Sequence, residues 1–387
     1  MWPGASETPG GRRHLVTGVV ALALLASCQS NSASAAPSPS PKPTTIVSNP
    51  VLLSPHVLVA LGPHGVAAMN CGMQDIAWPT NSLPIANKME PITDSVEIVS
   101  QAGGQPRVVA RAKHGGNLVS PVPITEPWLV YIEYQQHDQS SSTDFWYLDA
   151  VNLTSGEVVD LASATAGAPL NALPRYSAAD GRAVWDQLDA NGAAVLQMYD
   201  FGTRMTTTLP LPAGAYPVNP VISGDQVVFV DNSTDPNRTS EDWLGRRGSL
   251  RRFDIRTGET STLDADPTAF MAQIASGQVV WFAVPQSQSQ ESVKTVPLTG
   301  GKVRMIGYYQ GLPETNGSIV VWYDAQQHRF LAFGLKDNRL VPLQVAGWPD
   351  PGSEFALCGN RLYFAIAPAV DGDTSTIRYV DLTAVSI

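Results

Sequence analysis

The chain has 387 residues, of which 43% are apolar and only 15% charged, and its 32 glycines and 31 prolines are spread along the whole length. Charged residues make up roughly a quarter of an average globular chain, so this composition excludes a coiled coil, a helix bundle and an acidic disordered chain. A net charge of −10, with 18 arginines and 6 lysines, leaves no surplus of cations for phosphates and excludes nucleic acid as a partner.

In chain order, Arg12 and Arg13 precede an apolar run from Leu15 to Ala26. That run is short for a membrane span but suits the apolar region of a secretory signal, so residues 1–27 are read as address rather than fold. The run ends in Leu25-Ala26-Ser27-Cys28, which resembles the lipobox of bacterial lipoproteins. The resemblance implies cleavage before Cys28, a lipid-bearing thiol with fatty acyl chains such as palmitate, and a place on the extracytoplasmic face of the cell membrane. Arg12-Arg13-His14-Leu15-Val16 also resembles a twin-arginine signal, so the general secretory and twin-arginine routes both stay open, the former ahead.

Residues 28–48 are read as a tether, since the Ser, Ala and Pro of Gln29 to Thr45 cannot bury a core and favour extended conformers. The Arg-over-Lys bias and this tether resemble lipoproteins of high-GC actinobacteria. Removing residues 1–27 takes two cations and one anion with it, so the mature chain carries −11. An acyl group rather than a basic patch is then the expected membrane contact.

Residues 49–387 form the folded part and repeat. A short apolar run ending in an aromatic recurs seven times, at Trp78, Tyr131, Trp185, Phe229, Trp281, Trp322 and Phe364, with gaps of 53, 54, 44, 52, 41 and 42 residues. Six copies have a glycine four to six residues before the aromatic: Gly72, Gly181, Gly224, Gly277, Gly317 and Gly359. The Tyr131 copy has Glu126-Pro127 in that place. Tight-turn hairpins follow, as in FDIRTGETSTL at 253–263 and FGLKDNRLVPL at 333–343. Each unit therefore reads as strand, turn, aromatic strand, variable loop, strand, tight turn, strand.

This pattern resembles the TolB-like β-propellers of the bacterial envelope, through the aromatic strand and the hairpin at Phe253 to Gly258. The fold expected is all-β: a seven-bladed β-propeller of four-stranded antiparallel blades. Two packed β-sandwiches are the alternative. The resemblance is to the ring only, so no Tol-Pal role is transferred. The seventh unit ends before its fourth strand, and His56 to Leu61 is expected to complete the last blade. Cys71 and Cys358 stand directly before the glycine of the first and last units, which ring closure makes neighbours, so a disulfide between them is expected in an exported protein.

None of G-x-S-x-G, H-E-x-x-H, C-x-x-C, G-x-G-x-x-G or a P-loop occurs. The six histidines, His14, His56, His64, His114, His137 and His328, lack metal-ligand spacing. Asp231 with Asp235, and Asp371 with Asp373, offer oxygens to calcium but read as solvated turns, so no metal and no cofactor is expected. The repeated aromatics read as packing between blades. Loops between second and third strands are long at 135–144, 231–249 and 286–292. The 231–249 loop places Trp243 between Asp242 and Arg246-Arg247, which suits a binding anchor.

The expected function is a monomeric, non-catalytic binding or scaffolding lipoprotein for an envelope protein, peptide or glycan, using Asp231, Asp235, Glu241, Asp242, Trp243, Arg246 and Arg247. The alternative is an envelope hydrolase or lyase that cleaves polysaccharide or peptide with Asp231, Asp235, Glu241 or Asp242. Carboxylates converging at the channel mouth would favour that enzyme.

Overall fold

The computed structural model describes residues 45–46, 49–62, 69–80, 93–119, 121–135, 145–164, 173–235, 247–284, 291–308, 313–324, 327, 329–346, 355–366, 375–383 and 385. Two compact units divide the chain, and every described residue belongs to the second, Pro41–Ile387. Cys28 lies outside the described residues.

The fold is all-β, with antiparallel sheets built from the sequence repeats. The first unit pairs Asn70–Cys71, Asp75–Thr80, Ser95–Ser100 and Arg107–Arg111 in order. The third unit pairs Tyr176–Ala179, Arg182–Leu188, Ala194–Asp200 and Met205–Thr208 in the same way. In the second, the inner strand is split into Asn117–Val119 and Ile124–Thr125. The seven repeats occupy six sheets, because the 16-residue strand Thr260–Ala275 is both the outer strand of the fourth unit and the inner strand of the fifth.

The turns explain the repeated glycines. Gly181, Gly224, Gly277, Gly317 and Gly359 have φ between 54° and 85°, the left-handed region that costs glycine little. The sixth, Gly72, is held by close packing, since an added Cβ would lie 2.7 Å from Glu126 Oε1 and 2.9 Å from Ile124 Cγ2. In the hairpins joining third to fourth strands, Asp200 Oδ1 accepts hydrogen bonds from the Gly202 and Thr203 amides, and Asp254 Oδ1 from those of Arg256 and Thr257. Asn152 does the same for Thr154 and Ser155, so the Asp of the hairpin signature is a turn former.

Seven apolar clusters hold the units together, and each is shared by two consecutive ones. Every repeat aromatic lies in the cluster shared with the preceding unit: Tyr131 against the first, Trp185 the second, Phe229 the third, Trp281 the fourth, Trp322 the fifth and Phe364 the sixth. Trp78 packs against the seventh unit with Tyr363 and Ile377, and this contact closes the cycle. All seven rings are buried.

Closure follows the expected route. His56–Gly62 pairs antiparallel with Ser375–Asp381 as the outer strand of the seventh unit. The structure adds an element that the sequence pattern does not show: Thr45–Ile46 and Val51–Leu53 pair in parallel with Arg339–Val345, the outer strand of the sixth unit. The first paired residues therefore precede residue 49. Leu53 is buried in the core shared by the sixth and seventh units, which gives this edge pairing an apolar purchase.

Cys71 and Cys358 are disulfide-bonded, with Cα atoms 5.6 Å apart and a sequence separation of 287. Hydrogen bonds occupy comparable positions between other neighbours at the tight-turn end. Gly181 N donates to Thr125 Oγ1 at 2.7 Å, Gly224 N to Asp180 Oδ2 at 2.6 Å, and Asn316 Nδ2 to the Gly359 carbonyl at 2.7 Å. The disulfide is the covalent member of that series, at the junction of the seventh and first units.

Mapping without reduction should recover Cys71 and Cys358 in one cross-linked peptide. Replacing both by serine should lower unfolding free energy by at most about 6 kcal/mol, the loop-entropy value for a closure of this length. Deleting His56–Gly62 should instead abolish cooperative unfolding in urea, because the seventh unit then exposes an unpaired edge.

Candidate functional site

The expected site is the 231–249 loop of the fourth unit. Glu241, Asp242, Trp243 and Arg246 lie outside the described residues, as do Asp371 and Asp373. Asp231, Asp235 and Arg247 are described, and they form the base of the loop.

Asp231 ends the aromatic strand Gln226–Asp231 and is fully buried. Its Oδ1 accepts from the Tyr216 amide at 3.0 Å, the Ser233 amide at 3.1 Å and Ser233 Oγ at 2.6 Å. Its Oδ2 lies 2.8 Å from Arg251 Nε. Residues Asn232–Thr234 form a single 3-10 turn that Asp231 caps, and Thr234 Oγ1 ties the two arms by donating to the Asp231 carbonyl and accepting from the Ser249 amide, both at 2.7 Å. Gly248 permits this closeness, since a Cβ there would lie 2.1 Å from the Asp231 carbonyl oxygen. Asp235 is buried and pairs with Arg247 at 3.4 Å. Expected on an exposed surface, Asp231, Asp235 and Arg247 instead lock the loop's base from inside, because a carboxylate at a strand end is best satisfied by the orphan amides beside it.

The same device recurs. Glu133, two residues after the aromatic of the second unit, accepts from the amides of Lys113, His114 and Gly116 at 2.7–2.8 Å. Asp186 in the third unit accepts from Arg175 N and Asn219 N, both at 2.8 Å. In each case an acid one or two residues after the repeat aromatic fixes the backbone entering its own unit. That spacing is visible in the sequence.

A second group lies on the inner strands. Glu314 of the sixth unit accepts from Gln273 Nε2 of the fifth at 2.8 Å, and Thr315 N donates to Gln273 Oε1 at 3.2 Å. Burial pushes the Glu314 carboxyl up to about 7, against hydrogen bonds from Gln273 and the Leu357 amide that pull it down. Nothing in the sequence marks Glu314 beyond its place before the Gly317 turn. On the second unit, Asp149 receives Lys113 Nζ at 3.0 Å and the Tyr131 hydroxyl at 3.3 Å, and burial raises its carboxyl too. Beside it, the exposed His114 ring stacks on Tyr147 at 3.7 Å between centroids. Among the described residues, no group of three or more His, Cys, Asp or Glu side chains converges as metal ligands would.

No family model and no curated protein matches the sequence. Among solved structures, the chain is similar to a prolyl endopeptidase at a TM-score of 0.55 and 11% identity, over 83% of this chain and 47% of that one. An oligogalacturonate lyase in complex with manganese gives 0.50 and 10%, over 83% and 91%. TolB from Acinetobacter baumannii gives 0.42 and 12%, over 82% and 80%. The chain thus spans about half of the endopeptidase. Its fold is a β-propeller, and at these identities the likeness establishes the fold alone.

Glu314 makes the pH dependence of stability specific. Its folded carboxyl holds a proton to higher pH than the ordinary value of 4.5, so ionisation of the unfolded chain drains stability as pH rises from about 4.5 to about 7. Glu314→Gln keeps the acceptor and cannot ionise. Its melting temperature should match that of the parent at pH 4 and exceed it by about 2–4 °C at pH 8.

Proposed function

We propose that the chain is a lipid-anchored, extracytoplasmic propeller lipoprotein with seven blades that binds or scaffolds an envelope protein, peptide or glycan without catalysis. The anchor rests on Cys28, which follows an apolar run and the small residues Ala26 and Ser27. The binding role rests on the loop following Asp231, the longest excursion from the repeat. One observation favours binding over cleavage. Asp231 and Asp235, two of the carboxylates that a polysaccharide- or peptide-cleaving enzyme would use here, are buried and held by arginines and backbone amides. A carboxylate enclosed in this way lies out of reach of a substrate's proton or reacting atom.

The anchor is tested by metabolic labelling with a fatty-acid probe. Cys28→Ala should lose the label and either leave the membrane fraction or accumulate as precursor. Labelling at the parental level would overturn the assignment.

Arg247 belongs to the loop base and should be left intact in a binding test. Trp243→Ala with Arg246→Ala should leave the melting temperature within about 1 °C of the parent, as substitutions away from buried features do. The same variant should reduce recovery of cross-linked envelope partners at least tenfold. Recovery at the parental level from a folded variant would place the binding surface elsewhere.

A further inference from the structure

A strand at the edge of a sheet leaves a row of amides and carbonyls open to another chain, and natural sheets blunt such edges with bulges, charges or a covering segment. Register shifts interrupt the outer-strand pairing of the first, second, fourth, fifth and seventh units. Thr45–Ile46 and Val51–Leu53 cover the outer strand of the sixth. Among the described outer strands, only Met205–Thr208 of the third unit pairs without a shift and without a cover. Its four residues are uncharged and all exposed, Met205 at 64%.

The hydrogen-bond pattern fixes what this edge offers. Leu209 N donates to the Leu196 carbonyl at 2.9 Å, in line with the register that pairs Thr207 with Met198. Bonded and unbonded pairs alternate along an antiparallel ladder, so Met205 and Thr207 turn their backbone groups inward while Thr206 and Thr208 turn theirs outward. The edge therefore presents two donors and two acceptors, spaced evenly about Thr207.

We infer that this edge pairs with the same edge of a second copy of the chain, antiparallel and centred on Thr207, which joins two third units into one eight-stranded sheet. Two-fold symmetry makes the match automatic: the outward groups of Thr206 in one copy meet those of Thr208 in the other, in four hydrogen bonds. Threonine pairs across strands are favourable in themselves. On the other face, Met205 comes to lie opposite Leu209 of the second copy, which takes an exposed apolar side chain out of water. Charge selects the place. The chain carries −10 overall, so copies repel one another, yet the one charged side chain in residues 203–210 is Arg204, and Glu157 already holds it at 2.8 Å. No acid of one strand then faces an acid of the other. A strand about 13 Å long is a small contact beside the roughly 1,200 Å² of a stable complex, so the pairing is reversible. A monomer is the expectation from the sequence, and this edge is the feature that departs from it.

Cysteine cross-linking tests the register. Thr207→Cys places a thiol opposite its own copy at a Cα separation of about 4.5 Å, within disulfide reach. Thr206→Cys leaves the two thiols on diagonal positions roughly 8 Å apart, outside it. Full-length protein with either substitution is oxidised by copper phenanthroline in the cell fraction that holds it, and disulfide-linked dimer is read on non-reducing gels. The parent gives the background from Cys28, the one cysteine outside the Cys71–Cys358 bond. Thr207→Cys should give at least tenfold more dimer than Thr206→Cys or the parent. Adding Thr206→Pro removes an outward N–H and no internal bond, so it should cut that dimer at least tenfold with the melting temperature near the parental value. Should the proline variant not fold, the contrast between the two cysteines decides alone. Dimer at the background level, equal dimer from the two cysteines, cross-links from position 207 to other proteins only, or dimer that survives Thr206→Pro in a folded variant would each overturn the pairing.

Discussion

No unit of this ring can bury its own faces. A four-stranded sheet has two of them, and each becomes a core only when a neighbour covers it, which makes every unit depend on two others and the whole on closure. The buried aromatics show where the dependence lies. Each of the seven sits on a second strand and reaches the cluster shared with the preceding unit, so the sequence period and the packing period coincide. The cost of leaving one cluster open would fall on both units that share it, which is why closure between the seventh and first is reinforced three ways: by Trp78 in a shared core, by a strand contributed from the far end of the chain, and by a disulfide.

The arginine bias has a physical origin in the same interfaces. Arg107 donates to the Leu153 carbonyl of the next unit at 3.3 Å, Arg252 to Leu298 at 2.7 Å, Arg304 to Leu335 at 3.3 Å and Arg361 to Gln101 at 3.0 Å. Each carbonyl begins a turn between third and fourth strands. Arg182 reaches the Gly224 carbonyl and Asp225 of the fourth unit, and Arg204 makes a forked pair with Glu157 of the second. A guanidinium keeps its charge and spreads several donors in a plane, so it can bridge a carbonyl and a carboxylate that a single ammonium would serve less well. Exposed pairs of this kind add little energy each, and their consequence is register between neighbours rather than stability.

Much of the fold was legible because its signals are local and repeated. A glycine in the left-handed region, an aromatic four to six residues later and an Asp-led tight turn recur often enough to identify the unit. Ring closure by His56 to Leu61 was legible as a missing strand matched by a spare one. The parallel addition of Thr45–Ile46 and Val51–Leu53 was not. Its pairing partner lies some 290 residues away, it follows a Ser/Ala/Pro-rich segment, and two or three residues are too few to display a period of two.

The acidic residues mark where sequence reasoning about function was weakest. Asp231 and Asp235 stand in a polar loop beside arginines, which is how a binding or catalytic site reads when only order along the chain is known. In space both turn inward. Asp231 stands two residues after its aromatic, as Glu133 does in the second unit, and the two serve one purpose: an anion holding amides of the chain that enters the unit. Charge near a loop thus carried two meanings, and the repeat position separates them. An acid one or two residues after the aromatic belongs to the ring, and Asp235, deeper in the connection, joins it through Arg247. Asp231 and Asp235 thereby give up the functional reading, which leaves the proposed contacts with Glu241, Asp242, Trp243 and Arg246.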